Sequence, residues 1–286
     1  MKNWKKKLVH VAHKLFMMCK EQKMVPIPAP INTDALLQGK VALITGGSGG
    51  IGFAMGQAFL RHGAKVILAG TNEERLQSYI HRLSSEMENP CARSLLINVL
   101  DTASLPDKVA KAAALFPENR IDILVNSAGL VSKSGFLEMS EQEYDSIMDV
   151  NAKGAFFMSQ AVSKFMIENQ VKGHILNVTS SSALRPAWGP YQMSKWAVRG
   201  FTLGLADTLL PYGIVVNAIA PGPTATPMLG KREGDSICNV ESPCGRYAMP
   251  SEIAELAAFM VSGMGDLIVG DTFYMTGGSG TITYHH

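Results

Sequence analysis

The chain has 286 residues, 47% of them hydrophobic and 17% charged, with a formal net charge of +2. That balance suits one large or two small globular domains with an ample core, excludes a disordered chain and gives no reason to expect a nucleic-acid binder. The charge is unevenly placed: residues 1–24 hold seven lysines and one glutamate, net +6, so the rest of the chain sits near −4.

Within that basic start, Trp4, Leu8, Val11, Leu15 and Met18 recur at helical spacing on one face, with lysines around the remainder. The pattern predicts an amphipathic helix that docks on its own subunit or a neighbour; peripheral contact with an anionic membrane is the alternative. His10, His13 and Lys14 interrupt the apolar stretch and no small-residue cleavage site follows, so it does not read as a secretory signal. Val25-Pro26-Ile27-Pro28-Ala29-Pro30 reads as a semi-rigid linker. Residues 1–38 are therefore expected to be an extension, and 39–286 the main domain. No apolar run reaches the roughly 18 residues of a membrane span. Cys19, Cys91, Cys238 and Cys244 lack metal-type spacing, so no metal site is expected. Cys238 and Cys244 read as reduced thiols of a cytoplasmic protein, with a disulfide as the alternative.

From Gly39 onward short apolar runs alternate with amphipathic stretches. Strands are expected at 41–44, 66–69, 95–97, 121–125, 175–178, 214–219 and 272–275, with helices at 51–62, 72–87, 142–168, 190–211 and 251–262. Such alternation predicts an α/β fold: one doubly wound Rossmann-type domain around a parallel sheet of about seven strands.

The first strand runs into Thr45-Gly46-Gly47-Ser48-Gly49-Gly50-Ile51-Gly52 and then a helix. Glycines at such a turn let the backbone approach a pyrophosphate, whose charge rests at the helix N-terminus. The turn therefore predicts a dinucleotide site. After the second strand, Ala69-Gly70-Thr71-Asn72 offers no acidic residue to hold a ribose 2′-hydroxyl. Ser48, Thr71 and Asn72 can instead donate to a 2′-phosphate, which favours NADP over NAD. Farther on, Tyr191 and Lys195 are four apart, on one face of a helix. An ammonium beside a phenol favours the phenolate, which predicts a Tyr191 pKa below the usual value of about 10 and a proton donor or acceptor near neutral pH.

In order along residues 39–280 come Thr45-Gly46-x3-Gly50-x-Gly52, Asn126-Ser127-Ala128-Gly129, Asn151, the serines 180–182, Tyr191-x3-Lys195, and Pro221-Gly222 with Thr226. This ordered set resembles the short-chain dehydrogenase/reductase family. The resemblance implies hydride exchange between a nicotinamide and a ketone or secondary alcohol, with Tyr191 as acid/base and Lys195 lowering its pKa. It implies that Asn151 binds a water linking Lys195 to solvent, and that a serine holds the substrate oxygen. Ser180 aligns best with that serine; because the stretch to Tyr191 is about two residues shorter than the family's, Ser181 and Ser182 stay open. The implied cofactor contacts are Gly46, Ser48, Gly49, Gly50, Ile51, Gly52, Thr71, Asn98, Val99, Asn126, Ala128, Gly129, Tyr191, Lys195, Pro221, Gly222, Thr224 and Thr226.

Residues 228–248 fall where the family places its substrate loop, and Lys231, Arg232 and Arg246 there are read first as solvated charges. The substrate is a small carbonyl or alcohol compound, with a 3-oxoacyl group and a keto-sugar as options. The family's habit of forming dimers and tetramers, together with the stripe Ala197, Gly200, Phe201, Gly204 and Leu205, implies a homodimer or homotetramer. The alternative function is a non-catalytic cofactor-binding scaffold or a membrane-associated subunit of a biosynthetic complex.

Overall fold

The computed structural model describes residues 35–87 and 90–282; the expected N-terminal helix and the Pro-rich linker lie outside the described residues. Strands β1 (Val41–Thr45), β2 (Lys65–Gly70), β3 (Ala92–Leu96), β4 (Ile123–Asn126), β5 (His174–Val178), β6 (Val215–Pro221) and β7 (Thr272–Met275) form one sheet in the order 3-2-1-4-5-6-7. Every neighbouring pair is parallel. Helices α1 (Gly50–Arg61), α2 (Glu73–Glu86), α3 (Leu105–Ala113), α4 (Glu141–Met148), α5 (Gly154–Glu168), α6 (Pro190–Leu209) and α7 (Pro250–Met260) lie between and after the strands.

Both faces of the sheet are covered, and strand alternation shows how. On β1, Ala42 and Ile44 join a core with Phe53, Phe59, Leu76 and Ile253 from α1, α2 and α7. Val41 and Leu43 join the opposite core with Val109, Met158, Val162 and Leu209 from α3, α5 and α6. Packing begins slightly before Gly39: Leu37 is fully buried and its N–H donates to His62 O at 2.9 Å.

Two expectations need correction. β3 begins at Ala92 rather than Leu95, because Ala92, Arg93 and Ser94 pair with Val66, Ile67 and Leu68 of β2 on an edge strand whose outer residues face solvent. An apolar-run criterion does not see such a strand. The single helix expected over 142–168 is also broken, by a π-helical turn at Asp149–Lys153 between α4 and α5. Such turns insert one extra residue and re-aim the side chains around it. The side chain re-aimed here is Asn151.

Strand order reverses between β1 and β4, which opens a crevice at the carboxyl ends of those strands. The glycine turn, Gly129, Asn151 and the end of β5 all come to this edge.

Candidate active site

The turn after β1 is built by close backbone approach. Gly46 has φ +65°, and a Cβ there would lie 2.8 Å from the Ala128 backbone. A Cβ on Gly52 would lie 2.5 Å from Gly46 O, and one on Gly50 would lie 2.7 Å from Thr226 Cγ2. The Thr45 hydroxyl fastens the facing loop by accepting from Ser127 N (3.2 Å) and Ala128 N (3.3 Å). α1 starts at Gly50 behind a glycine N-cap, so no side chain caps its first N–H groups, which stay available to an anion. Opposite, Gly222 N donates to Met275 O at 3.0 Å and Thr224 Oγ1 to Gly222 O at 2.9 Å, which holds the loop bearing Thr226 against the turn. The result is a narrow backbone-lined cradle between Gly46–Gly52, Ala128–Gly129 and Pro221–Thr226, and it fits a dinucleotide's pyrophosphate.

The remaining expected contacts divide. Ser48 Oγ would be 3.7 Å from a Cβ on Gly70, so it lies at the end of β2 beside exposed Thr71. Asn72 caps α2, its Oδ1 accepting from Arg75 N at 2.7 Å, which leaves its amide N–H groups as donors. Asn98 is exposed and its Oδ1 accepts from Leu100 N at 3.1 Å; Val99 is buried against Gly154. Asn126 turns its side chain into the protein, where its Nδ2 donates to Ser159 and Asn177. Only its backbone faces the crevice side of β4.

Asn151, Ser180, Tyr191 and Lys195 come from three different segments. Tyr191 and Lys195 lie in the first two turns of α6, which opens with Pro190 at its first position. Lys195 is buried and its Nζ donates to Val178 O at the end of β5 (2.9 Å). The same ammonium sits 5.8 Å from the centroid of the Tyr191 ring. Asn151 is held by both ends of its amide: Oδ1 accepts from Leu130 N at 2.7 Å, and Nδ2 donates to Leu130 O at 2.9 Å and Ser194 Oγ at 3.0 Å. A Cβ on Gly129 would fall 3.3 Å from Asn151 Oδ1 and 3.7 Å from Lys195 Nζ, so these groups share one small space. Ser180 caps the 3-10 turn Ser181–Leu184, and its hydroxyl is the one within hydrogen-bonding reach of the Tyr191 phenol. Ser181 and Ser182 belong to the turn itself, and Ser182 N donates back to Ser180 Oγ at 3.1 Å.

The electrostatics differ from the sequence expectation. Burial pushes the Tyr191 phenol above its usual value, and the Ser180 hydroxyl pulls part of the way back. Burial also lowers the Lys195 amine to about 8, so near neutral pH it is an easily neutralised cation rather than a strong one. The four-residue spacing is real, but its pKa consequence is overridden by desolvation, which no local pattern reports.

In the substrate loop, Arg246 forms two 2.7 Å bonds to Glu252 at the start of α7, and Lys231 stacks over Tyr247 at 4.9 Å. Those two charges are largely occupied. Cys91, Cys238 and Cys244 are free thiols, and the described residues hold no cluster suited to a metal ion. One residue escaped the sequence reading: Arg75, in the first turn of α2, has no ion pair among the described residues and stacks on Tyr79 at 5.9 Å. Its position five residues past the end of β2 was the available signal.

Known proteins carry the same layout. The family model for short chain dehydrogenase matches residues 40–250. The 3-oxoacyl-(acyl-carrier-protein) reductase of Rickettsia conorii is 32% identical over 247 residues, covering 85% of this chain and 97% of that protein. The gluconate 5-dehydrogenase of Gluconobacter oxydans is 33% identical over 249 residues, covering 85% and 95%. A crystal structure of an actinorhodin polyketide ketoreductase with NADPH superposes with a TM-score of 0.77 at 26% identity, covering 88% of this chain and all of that one. With the glycine cradle and the Tyr191–Lys195 helix in their places, this chain belongs to the short-chain dehydrogenase/reductase family and is an NAD(P)-dependent oxidoreductase.

Proposed function

We propose that the chain is an NADP-dependent reductase of a 3-oxoacyl group, with Tyr191 as the proton donor. The observation that carries the reading is the buried Lys195, held on Val178 O at 2.9 Å with its ammonium 5.8 Å from the Tyr191 ring centroid. Bound NADPH supplies the hydride. Ser180 donates a hydrogen bond to the carbonyl oxygen and fixes its aim, and Tyr191, protonated across the neutral range because burial raises its pKa, hands that oxygen a proton as negative charge develops. Lys195 stabilises the phenolate left behind, and Asn151, clamped on Leu130, orients the path by which the proton is replaced.

Ser48, Thr71 and the Asn72 amide offer donors around the end of β2, which carries no carboxylate of its own, and Arg75 follows in the first turn of α2; together these support NADP. The NADPH-bound ketoreductase points the same way. The 3-oxoacyl reading is supported by the reductase relative and by loop cations that are already taken up by Glu252 and Tyr247. A keto-sugar is the second reading, favoured by the gluconate dehydrogenase relative. The reading keeps residues 1–38 as an extension of a 39–286 catalytic domain, in line with a family match that begins at residue 40. It places the enzyme in the cytoplasm as a homo-oligomer; its free thiols and the absence of a membrane-spanning helix among the described residues agree.

The test is NADPH and NADH titration, followed by NADPH oxidation with 3-oxoacyl thioesters and keto-sugars, for wild type and Tyr191→Phe. NADPH should bind more tightly than NADH. Tyr191→Phe should keep that binding and lose at least about 100-fold in turnover. A fully active Phe variant sinks the assignment.

A further inference from the structure

Beneath the crevice, a one-way chain of buried hydrogen bonds ties β4 and β5 to α6. Asn126 Nδ2 donates to Ser159 Oγ at 2.8 Å and to Asn177 Oδ1 at 2.9 Å. Asn177 Nδ2 donates to Thr202 Oγ1 at 3.0 Å, and the Thr202 hydroxyl donates to Val198 O at 2.8 Å. Asn126, Asn177 and Thr202 are all buried. The direction is forced: Thr202 spends its one proton on its own helix, so it can only accept from Asn177, whose oxygen is then left to face Asn126. Asn126 Oδ1 is buried without a partner among the described residues, whereas the Asn177–Thr202 bond pairs a buried donor with a buried acceptor, so a shift of α6 on β5 would leave a further polar group unpaired.

The chain matters because of what else joins β5 to α6. Two cross-links follow one another down the strand and back up the helix: Asn177 to Thr202 at 3.0 Å, and the Val178 carbonyl to Lys195 at 2.9 Å. The second holds Lys195 itself, in the helix that carries Tyr191. The first lies seven residues beyond Lys195, clear of the crevice. The other polar contacts of α6 go to segments other than β5: Arg199 to Ala183 O at 3.1 Å and over the Tyr274 ring, Trp196 to Arg185 O at 2.9 Å, and Ser194, which accepts from Asn151 at 3.0 Å. Ala206 and Leu209 add apolar contacts, which alone do not set an axial position to a fraction of an ångström.

We propose that Asn177 and Thr202 are positioning residues that set the register of α6 on β5 and, through it, the aim of Tyr191 and Lys195 at the substrate carbonyl. This rests on the catalytic reading of Tyr191 given above. Neither residue touches the crevice; each acts through the helix that carries the chemistry.

The decisive variant is Thr202→Val, which keeps the shape and removes the hydroxyl; Thr202→Ser keeps the hydroxyl, and Thr202→Cys is a second variant with only a weak acceptor. Ser159→Ala is the control, since it touches Asn126 without touching Thr202. The full chain is assayed for NADPH affinity by fluorescence and for kcat and KM with acetoacetyl-CoA. The Lys195 amine is titrated by NMR in lysine-labelled protein, its signal assigned by its loss in Lys195→Met.

Thr202→Val should lower kcat about ten- to a hundredfold, the effect of a small misplacement of reacting groups. NADPH affinity and KM should stay near wild type, and the Lys195 midpoint should move. Thr202→Ser should restore both, and Ser159→Ala should leave both unchanged. A folded Thr202→Val or Thr202→Cys with wild-type kcat and an unmoved Lys195 midpoint overturns the proposal, as does equal impairment in Thr202→Ser. If Tyr191→Phe proves fully active, the catalytic reading fails by itself, and the Lys195 midpoint then decides the register claim.

Discussion

Lys195 carries the largest conflict between stability and function in the site. Its amine is buried in the fold and titrates near 8, against 10.5 in an unfolded chain. Below pH 8 both states hold the proton and the fold bears the full cost of a buried ammonium. Between pH 8 and 10.5 the fold has released a proton that the unfolded chain still binds, so stability from this group recovers as pH rises, and above 10.5 the cost is gone. That cost is about 3 kcal/mol. Lys195→Met removes it and gives up the bond to Val178 O, worth about 1 kcal/mol. Urea unfolding of the cofactor-free protein should therefore show Lys195→Met more stable by about 2 kcal/mol at pH 7, with the gain lost by pH 10.5. A destabilised variant at pH 7 would refute this. The identity of the Tyr191–Lys195 pair was legible because four-residue spacing is local; the direction of the Tyr191 shift was not, because it depends on how much of the fold covers the phenol.

At the scale of elements, the glycine turn shows why some of the site could be read directly. Its requirement is local: Gly46 needs a left-handed backbone and Gly52 must let the Gly46 carbonyl pass within 2.5 Å of where a Cβ would be. Such demands appear in the sequence as glycines. Gly52→Ala forces that carbonyl to move, a strain of about 1–3 kcal/mol, and the carbonyl belongs to the turn proposed to receive the pyrophosphate. NADPH affinity should fall at least about tenfold, the equivalent of 1.4 kcal/mol, in a fluorescence titration, while the circular dichroism spectrum stays native. Unchanged affinity would mean that the turn is not the phosphate cradle. Other features arise between elements and leave weaker traces. The π turn that aims Asn151 sits inside an unbroken helical pattern, and the inward side chain of Asn126 depends on partners 33 and 51 residues away. Arg75 was hidden by two neighbouring glutamates that make the first turn of α2 look acidic.

At the scale of the whole molecule, α5 and α6 leave an apolar face that the described residues do not cover. A groove of about 330 Å³ there is lined by Ala152, Lys153, Phe156, Phe157, Ala197, Val198 and Phe201. The Phe156 and Phe201 rings lie 5.1 Å apart, with Phe156 43% exposed. Gly200 and Gly204 on the same helix have open space where a side chain would be, which allows a second helix to approach closely. A two-fold pairing of this face with itself would bury both aromatic pairs and bring two copies of α6, each with its Tyr191, back to back. Placing a carboxylate in that contact without a partner costs several kcal/mol. Phe201→Asp, at a partly exposed position in the single subunit, should fold and sediment as a monomer, where wild type should sediment as a dimer or tetramer. Because α6 also carries Tyr191 and Lys195, the proposed reacting groups, its turnover should fall along with its assembly. A wild-type protein that is monomeric at micromolar concentration, or a Phe201→Asp variant that assembles normally, would assign this face another role.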